Sequence, residues 1–320
     1  NLRGTPPSRS LSTRSKTPMR DGIRHSLINA DTMLDEIDHG QAKVVGIGTA
    51  YRAIKLQIDK ALDRIDLRRT KVAGEISKLY RDGLGGPAGM SKLQRQQKVY
   101  PSLNGDTLSK MDLIMLALNS GNEGNWSRVT YDKQALRTVL LSELSESDWQ
   151  FVQNTWDYLD SFWDEISATH RALTGLRTNK VAHKSMIDGA PSFVTGGYFP
   201  IRYDKDLSGS AENIDRASLI LEGKHGSFMK AQTSRGHAMQ RADTVTNKEL
   251  LLDPSIIENH VFNVVHDLEL AQPIADAGSI IYSDRFKDIL NSKGRGEDSS
   301  LFKAWIEDVA IGEHRIMAHT

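Results

Sequence analysis

Apolar residues recur every three or four positions along most of this chain, the period of a helix with one buried face. Over residues 43–80, Tyr51, Ile54, Ile58, Ala61, Ile65, Val72 and Leu79 keep that spacing, with Arg68 interrupting the stripe. The seam is narrow, as in a coiled coil or a long helical hairpin. Glycines at 83, 85, 86 and 89, with Pro87 among them, end this helix in a turn. They do not form a phosphate loop, because Met90 follows Gly89 and no Gly-Lys-Ser/Thr closes the pattern. A short apolar helix then runs from a cap at Asp106 or Thr107 to about Leu118. Asn119-Ser-Gly-Asn-Glu-Gly-Asn125 ends it with residues that tolerate left-handed backbone.

The clearest helix start is Ser145, an N-cap with Asp148 three residues on and Leu144 and Trp149 at the hydrophobic staple positions. Trp149, Val152, Trp156, Leu159, Trp163, Ile166, His170 and Leu173 follow at 3–4 spacing and predict one long helix. Its seam, marked by Trp149, Trp156, Trp163 and His170, is core or a helix–helix interface, with an oligomer contact as the functional version. Phe193 to Tyr203 crowds apolar and aromatic residues around a glycine pair and predicts an extended segment or small hairpin near 192–204. Residues 204–247 are polar and loop-like. Helix returns over 256–290, with Ile257, Val261, Val264, Val265 and Leu268 inward and Pro273 marking a bend or restart. A last helix over 300–317 places Leu301, Trp305 and Val309 inward.

The pattern therefore predicts a mainly α, elongated multi-helix architecture with one small extended or hairpin segment. It divides into a basic arm or linker (1–40), a long helix or helical hairpin (41–105), a central helical region (106–190), an extended segment with a long polar loop (191–250) and a C-terminal helical region (251–320).

Composition sharpens this picture. Hydrophobic residues make up 38% of the 320, below the usual apolar share, and the mean hydropathy is −0.44. A helical protein that borrows surface from neighbours fits these values better than a compact enzyme does. Lys+Arg and Asp+Glu are both 41, so any contact with nucleic acid has to come from local patches. Two such patches stand out. The N-terminal 24 residues carry Arg3, Arg9, Arg14, Lys16, Arg20 and Arg24 against the single acid Asp21. They read as an arm on phosphates or on a neighbouring subunit, or as a solvated linker. The second patch, in the long polar loop, holds Lys224, Lys230, Arg235 and Arg241. The helix over 43–80 also has a basic side, which reads as a solvated face or a DNA contact. By contrast, Glu143 to Glu165 holds seven acids and no Lys or Arg, giving the aromatic helix an acidic outside.

Candidate chemistry is sparse. With no cysteine, the chain has no disulfide framework, thiolate metal site or catalytic thiol. His260 and His266 are six apart, not the four that would put two ligands on one helix face, so His266 and Asp267 read as polar edge residues. Glu146-Ser147 supplies only the first pair of a lytic transglycosylase signature, and no nucleophile elbow is present. No catalytic residue, metal or cofactor is assigned. No apolar run approaches the ~20 residues that span a bilayer. The basic N-terminal stretch has no apolar run behind it of the kind a signal peptide needs. Asn1 in first place leads us to expect a processed product or part of a longer chain.

Four segments carry a resemblance. They are Leu116-Ala-Leu-Asn-Ser-Gly-Asn-Glu-Gly-Asn125, Asp148-Trp-Gln-Phe-Val-Gln-Asn-Thr-Trp-Asp157, Gly196-Gly-Tyr-Phe-Pro-Ile-Arg-Tyr-Asp204 and His260-Val-Phe-Asn-Val-Val-His-Asp-Leu-Glu269, with Phe302-Lys-Ala-Trp305 downstream. Their order and spacing resemble the large internal virion (ejection) proteins of short-tailed phages and the related large polyvalent proteins. The similarity spans roughly residues 105–315 and leaves 1–100 without a signature. It implies homo-oligomeric rings in an inner core above the portal, in contact with other core and portal proteins and with phage DNA. It also implies release into the host envelope or periplasm during genome ejection. Members often carry a lytic transglycosylase domain elsewhere in the chain, and no catalytic residues are established in the part matched here. The competing expectations are a fragment of a wall-degrading or nucleic-acid-processing enzyme, and a nucleic-acid-binding module that does not assemble.

Overall fold

The computed structural model describes residues 33–35, 37–38, 48–202, 250–303, 305–306 and 309. They belong to two compact units, one built from 1–57 and 276–320, the other from 58–275. The architecture is mainly α with one small antiparallel hairpin. A π-helical turn (Tyr51–Lys55) precedes α1 (Leu56–Leu84). There follow α2 (Gly86–Arg95), β1 (Gln97–Tyr100), β2 (Asp106–Ser109), α3 (Lys110–Leu118), α4 (Glu123–Trp126), α5 (Lys133–Glu143), α6 (Glu146–Asp160) and α7 (Trp163–Thr174). Beyond the second described break come α8 (Ser255–Ile281), α9 (Asp284–Ser292) and a helical stretch from residue 298.

In the first unit, Asp38 caps the start of the helical run. Its two carboxylate oxygens accept from the backbone N–H groups of Ala50 (3.0 Å) and Tyr51 (2.9 Å). Gly48 makes that approach possible, because a Cβ there would overlap the Asp38 carboxylate. Phe286 and Phe302 meet edge to face, with centroids 5.3 Å apart. Trp305 and Val309 are buried as the pattern predicts, but Leu301 is 55% exposed and Phe302 takes the inward position. A one-residue rotation of the helix accounts for that difference, since neighbours in sequence lie about 100° apart.

In the second unit, α1 buries Ile58, Ala61, Ile65, Val72 and Ile76, the predicted stripe. Gly85, with φ of 75°, turns the chain directly into α2, whose second residue is Pro87. The hairpin is formed by 97–109, paired Lys98↔Leu108 and Tyr100↔Asp106, with its turn at Asn104-Gly105 in left-handed backbone. Asp106 and Thr107 therefore belong to β2, and the cap of α3 is Ser109 in a capping box with Asp112. The aromatic run also departs from expectation. Instead of one helix it forms α6 and α7, broken at Ser161-Phe162. The Ser145–Asp148 capping box that starts α6 is present as predicted. Pro273 sits inside α8, which continues to Ile281, and Ser283 caps a separate α9.

Candidate functional site

The four segments that carry the resemblance lie 20 to 140 residues apart in sequence and meet in the second unit. α3 ends at Leu118, and the glycine- and asparagine-rich loop after it turns back into the core. Asn119, Ser120, Asn122 and Asn125 are all buried. Residues 193–202 run past this loop as an extended segment with no strand partner, in place of the hairpin expected near 192–204. Their backbone polar groups need partners other than a sheet. The loop and α6 supply them.

Gly121 O accepts from Gly197 N (2.8 Å), and Ser120 O accepts from Met186 N (2.8 Å). Asn122 Nδ2 donates to Gly197 O (3.0 Å), and Asn125 Nδ2 donates to Phe199 O (2.8 Å) and Asn119 Oδ1 (3.3 Å). From α6, Gln153 Oε1 accepts from Thr195 N (2.9 Å), and Trp156 Nε1 donates to Leu118 O (2.9 Å). The glycines matter here for space. A Cβ at Gly121 would lie 2.5 Å from Gly197 O and 2.6 Å from Trp156 Cε2. A Cβ at Gly197 would overlap Trp156 itself. Tyr198 then packs on His260 of α8, with ring centroids 5.5 Å apart. The arrangement is a buried network of amides, hydroxyls and one indole. Its chemistry is backbone recognition: it holds a peptide segment by its main chain.

Two charged clusters border the same unit. Arg68, the residue that interrupts the α1 stripe, donates to both oxygens of Glu165 on α7 (2.6 Å for the Nη1–Oε1 pair) and to Glu269 of α8 at 3.1 Å. Arg64 Nε joins the same Glu269 at 2.7 Å. The hydrogen bonds from Glu165 raise the Arg68 guanidinium above its ordinary value, against the opposing effect of burial. At the other end of α7's approach, Asp160 pairs with Lys180 at 2.7 Å and faces His183 at 3.5 Å.

These pairings change how the charged faces read. Much of the acidic outside of α6 and α7 is matched within the chain: Glu143 by Lys98, Asp148 by Lys110, Asp160 by Lys180 and Glu165 by Arg68. On the basic side of α1, Arg64 and Arg68 are paired, Arg69 lies over the Phe262 ring, and Lys71 faces Glu75.

Trp149 and Trp156 are 2% and 1% exposed and sit in the unit's own core, so neither side chain is on an outer face. Trp163 and His170 are half-buried on α7; the His170 ring faces Thr174 Oγ1 at 3.2 Å. His266 and Asp267 are buried, correcting the edge position read from the sequence. Their side chains are 3.3 Å apart, and His266 Nε2 has no protein partner. Among the described residues, no group of three or more His, Asp or Glu is placed to hold a metal ion. No described helix is long and apolar enough to cross a membrane. The arm candidates Arg3, Arg9, Arg14, Lys16, Arg20 and Arg24, and the loop candidates Lys224, Lys230, Arg235 and Arg241, lie outside the described residues.

Sequence reasoning assigned the asparagine loop no role and passed over Arg68 and His183. The available signals were the matched glycines at 121 and 196–197, which mark close backbone approach, and a charge standing alone in an apolar stripe. No family model, curated protein or solved structure matches this chain.

Proposed function

We propose that this chain is a structural internal virion protein of a tailed phage, part of an inner core that leaves the head and helps the genome across the host envelope. The observation that supports the reading is the meeting of the four resembling segments in one packed cluster. Segments that are weak signals singly become a single structural unit, as parts inherited together do. In this reading the chain assembles as a homo-oligomeric ring beside other core and portal proteins. It acts without catalysis of its own, and its basic arm and loop contact the packaged DNA.

Peptide mass spectrometry on intact particles, and on particles emptied by triggered ejection, tests the assignment. The chain is expected in full heads and absent from emptied ones. Absence from full heads rejects the virion reading, and retention in emptied ones rejects ejection.

The DNA contact has its own test. Leu251 N donates to Arg202 O at 2.9 Å, so the described chain leaves at 202 and is back at 251 within one hydrogen bond. Replacing 203–249 with an Asn-Gly linker is expected to leave the thermal midpoint of the second unit unchanged, because the linker closes a gap that is already short. It removes Lys224, Lys230, Arg235 and Arg241, so duplex binding is expected to lose affinity and salt dependence, by a log–log slope of about 0.9 per lost phosphate contact. An unchanged slope removes the loop from the DNA contact.

A further inference from the structure

Asp160 is the last residue of α6, where the unpaired helix carbonyls disfavour a carboxylate. The chain supplies compensation from a distance. Gly175, with φ of 72°, ends α7 in left-handed backbone, and the following segment folds back over the α6–α7 corner. Thr178 Oγ1 donates to Ser167 Oγ at 3.3 Å. Lys180 Nζ lies 2.7 and 2.8 Å from the two oxygens of Asp160 and 5.9 Å from the Trp163 ring. His183 brings Nε2 to 3.5 Å from the same carboxylate, with that nitrogen out of solvent and without a hydrogen bond. At Lys184 the backbone is anchored again, its N–H donating to Gly121 O at 3.1 Å.

We propose that residues 176–184 form an acid-released clasp on the C-terminal end of α6, with His183 as its proton-sensitive part. The charged groups facing the imidazole are Asp160 and Asp157 of α6 and Lys180 of its own segment. Lys180 already holds both carboxylate oxygens, so an imidazolium at His183 would be a second cation on one anion in a site only 26% exposed. Burial, the largest effect, and Lys180 disfavour the charged ring, while Asp160 and Asp157 favour it. The balance keeps His183 below the ordinary histidine value. The sign follows. The released segment takes up a proton more readily than the closed one. The contribution of a neutral His183 to closure is therefore present above about pH 6.5 and declines as the pH falls below it. Release is local, because the segment's tethers are few and lie at the surface, while the neutral network beyond Lys184 carries no titratable group.

This inference is independent of the virion reading. It is tested on the full chain by amide hydrogen exchange at about pH 7.5 and about pH 5.5, corrected for intrinsic rates. Protection within 176–184 is expected to fall several-fold on acidification, with α6 and the hairpin unchanged. His183→Gln is expected to abolish the pH dependence. Lys180→Met, which leaves the carboxylate to the imidazolium, is expected to reduce the fall. An equal fall in His183→Gln, or wild-type protection that holds or rises at acid pH, overturns the proposal. Should His183→Gln lower protection at both pH values, an NMR titration of His183 in the wild type decides. A midpoint at or above the ordinary histidine value overturns the clasp.

Discussion

The asparagine loop and the Arg68 cluster both tie together pieces of chain that are far apart in sequence, by opposite means. In the loop, Asn122, Asn125 and Gln153 meet backbone groups of 195–199, all of them neutral and, apart from half-buried Thr195 N, buried. In the cluster, Arg68 reaches Glu165 and Glu269 through charged groups that keep part of their surface in water, 48% for Glu165. A neutral hydrogen bond contributes little net free energy when made, but breaking one partner in a buried site strands the other. An exposed ion pair is stronger in isolation, yet hydration and salt take most of that back. Energetic weight in this molecule therefore runs against formal charge: the uncharged region sets the fold, and the charged one trims it.

The most damaging way to break that comparison is Trp156→Ala. It removes a side chain that is 1% exposed, touches the approach of Gly121 and Gly197, and leaves Leu118 O without its donor. A loss of ~3–5 kcal/mol is expected in denaturant unfolding. An unchanged midpoint would mean that the loop junction is not core. Asn125→Ala comes next. It strands Phe199 O in a buried site, and a loss of about 1–3 kcal/mol is expected. The informative part is its salt dependence. The loss should be the same in low and high salt, because no charge is involved.

The sequence was most legible where one short signal decides one local structure. Ser145 with Asp148 started α6 where the capping box said it would, and Ile58, Ala61, Ile65 and Val72 are buried as their spacing requires. It was least legible where tertiary contacts decide. The 3–4 spacing runs unbroken from Trp149 through Leu173, so periodicity alone cannot show the break at Ser161. Gln97 to Ser109 has too short an apolar pattern to announce a hairpin, although Asn104-Gly105 supplies the turn. For the candidate site, the residues were visible but their association was not. Gly121 and Gly197 are 76 positions apart, and nothing local says that their backbones touch.

Ser145→Ala separates local from tertiary effects. It removes the acceptor for Asp148 N and is expected to cost about 1 kcal/mol, with Ser145→Gly losing only a few tenths. Asp148 retains Lys110 at 2.8 Å, so the side chain stays in place when the cap is gone. A loss as large as that of Asn125→Ala would show that the cap is coupled to the buried loop and does not act on the helix end alone.

The smallest effect should come from Arg68, in spite of its having the most conspicuous contacts of the three regions. Arg68→Met keeps the apolar stem that continues the α1 stripe and deletes only the guanidinium. Glu269 still has Arg64 at 2.7 Å, and Glu165 is exposed enough to recover water, so neither carboxylate is stranded. The expected change is within about 1 kcal/mol at low salt and vanishes as salt screens the pair. Methionine also satisfies the apolar pattern that arginine interrupts, which pulls the net effect further toward zero. A loss of several kcal/mol that persists in high salt would place Arg68 in the same class as Asn125. The division between a neutral framework and charged trim would then fail, because the cluster would be setting the fold as much as the loop does.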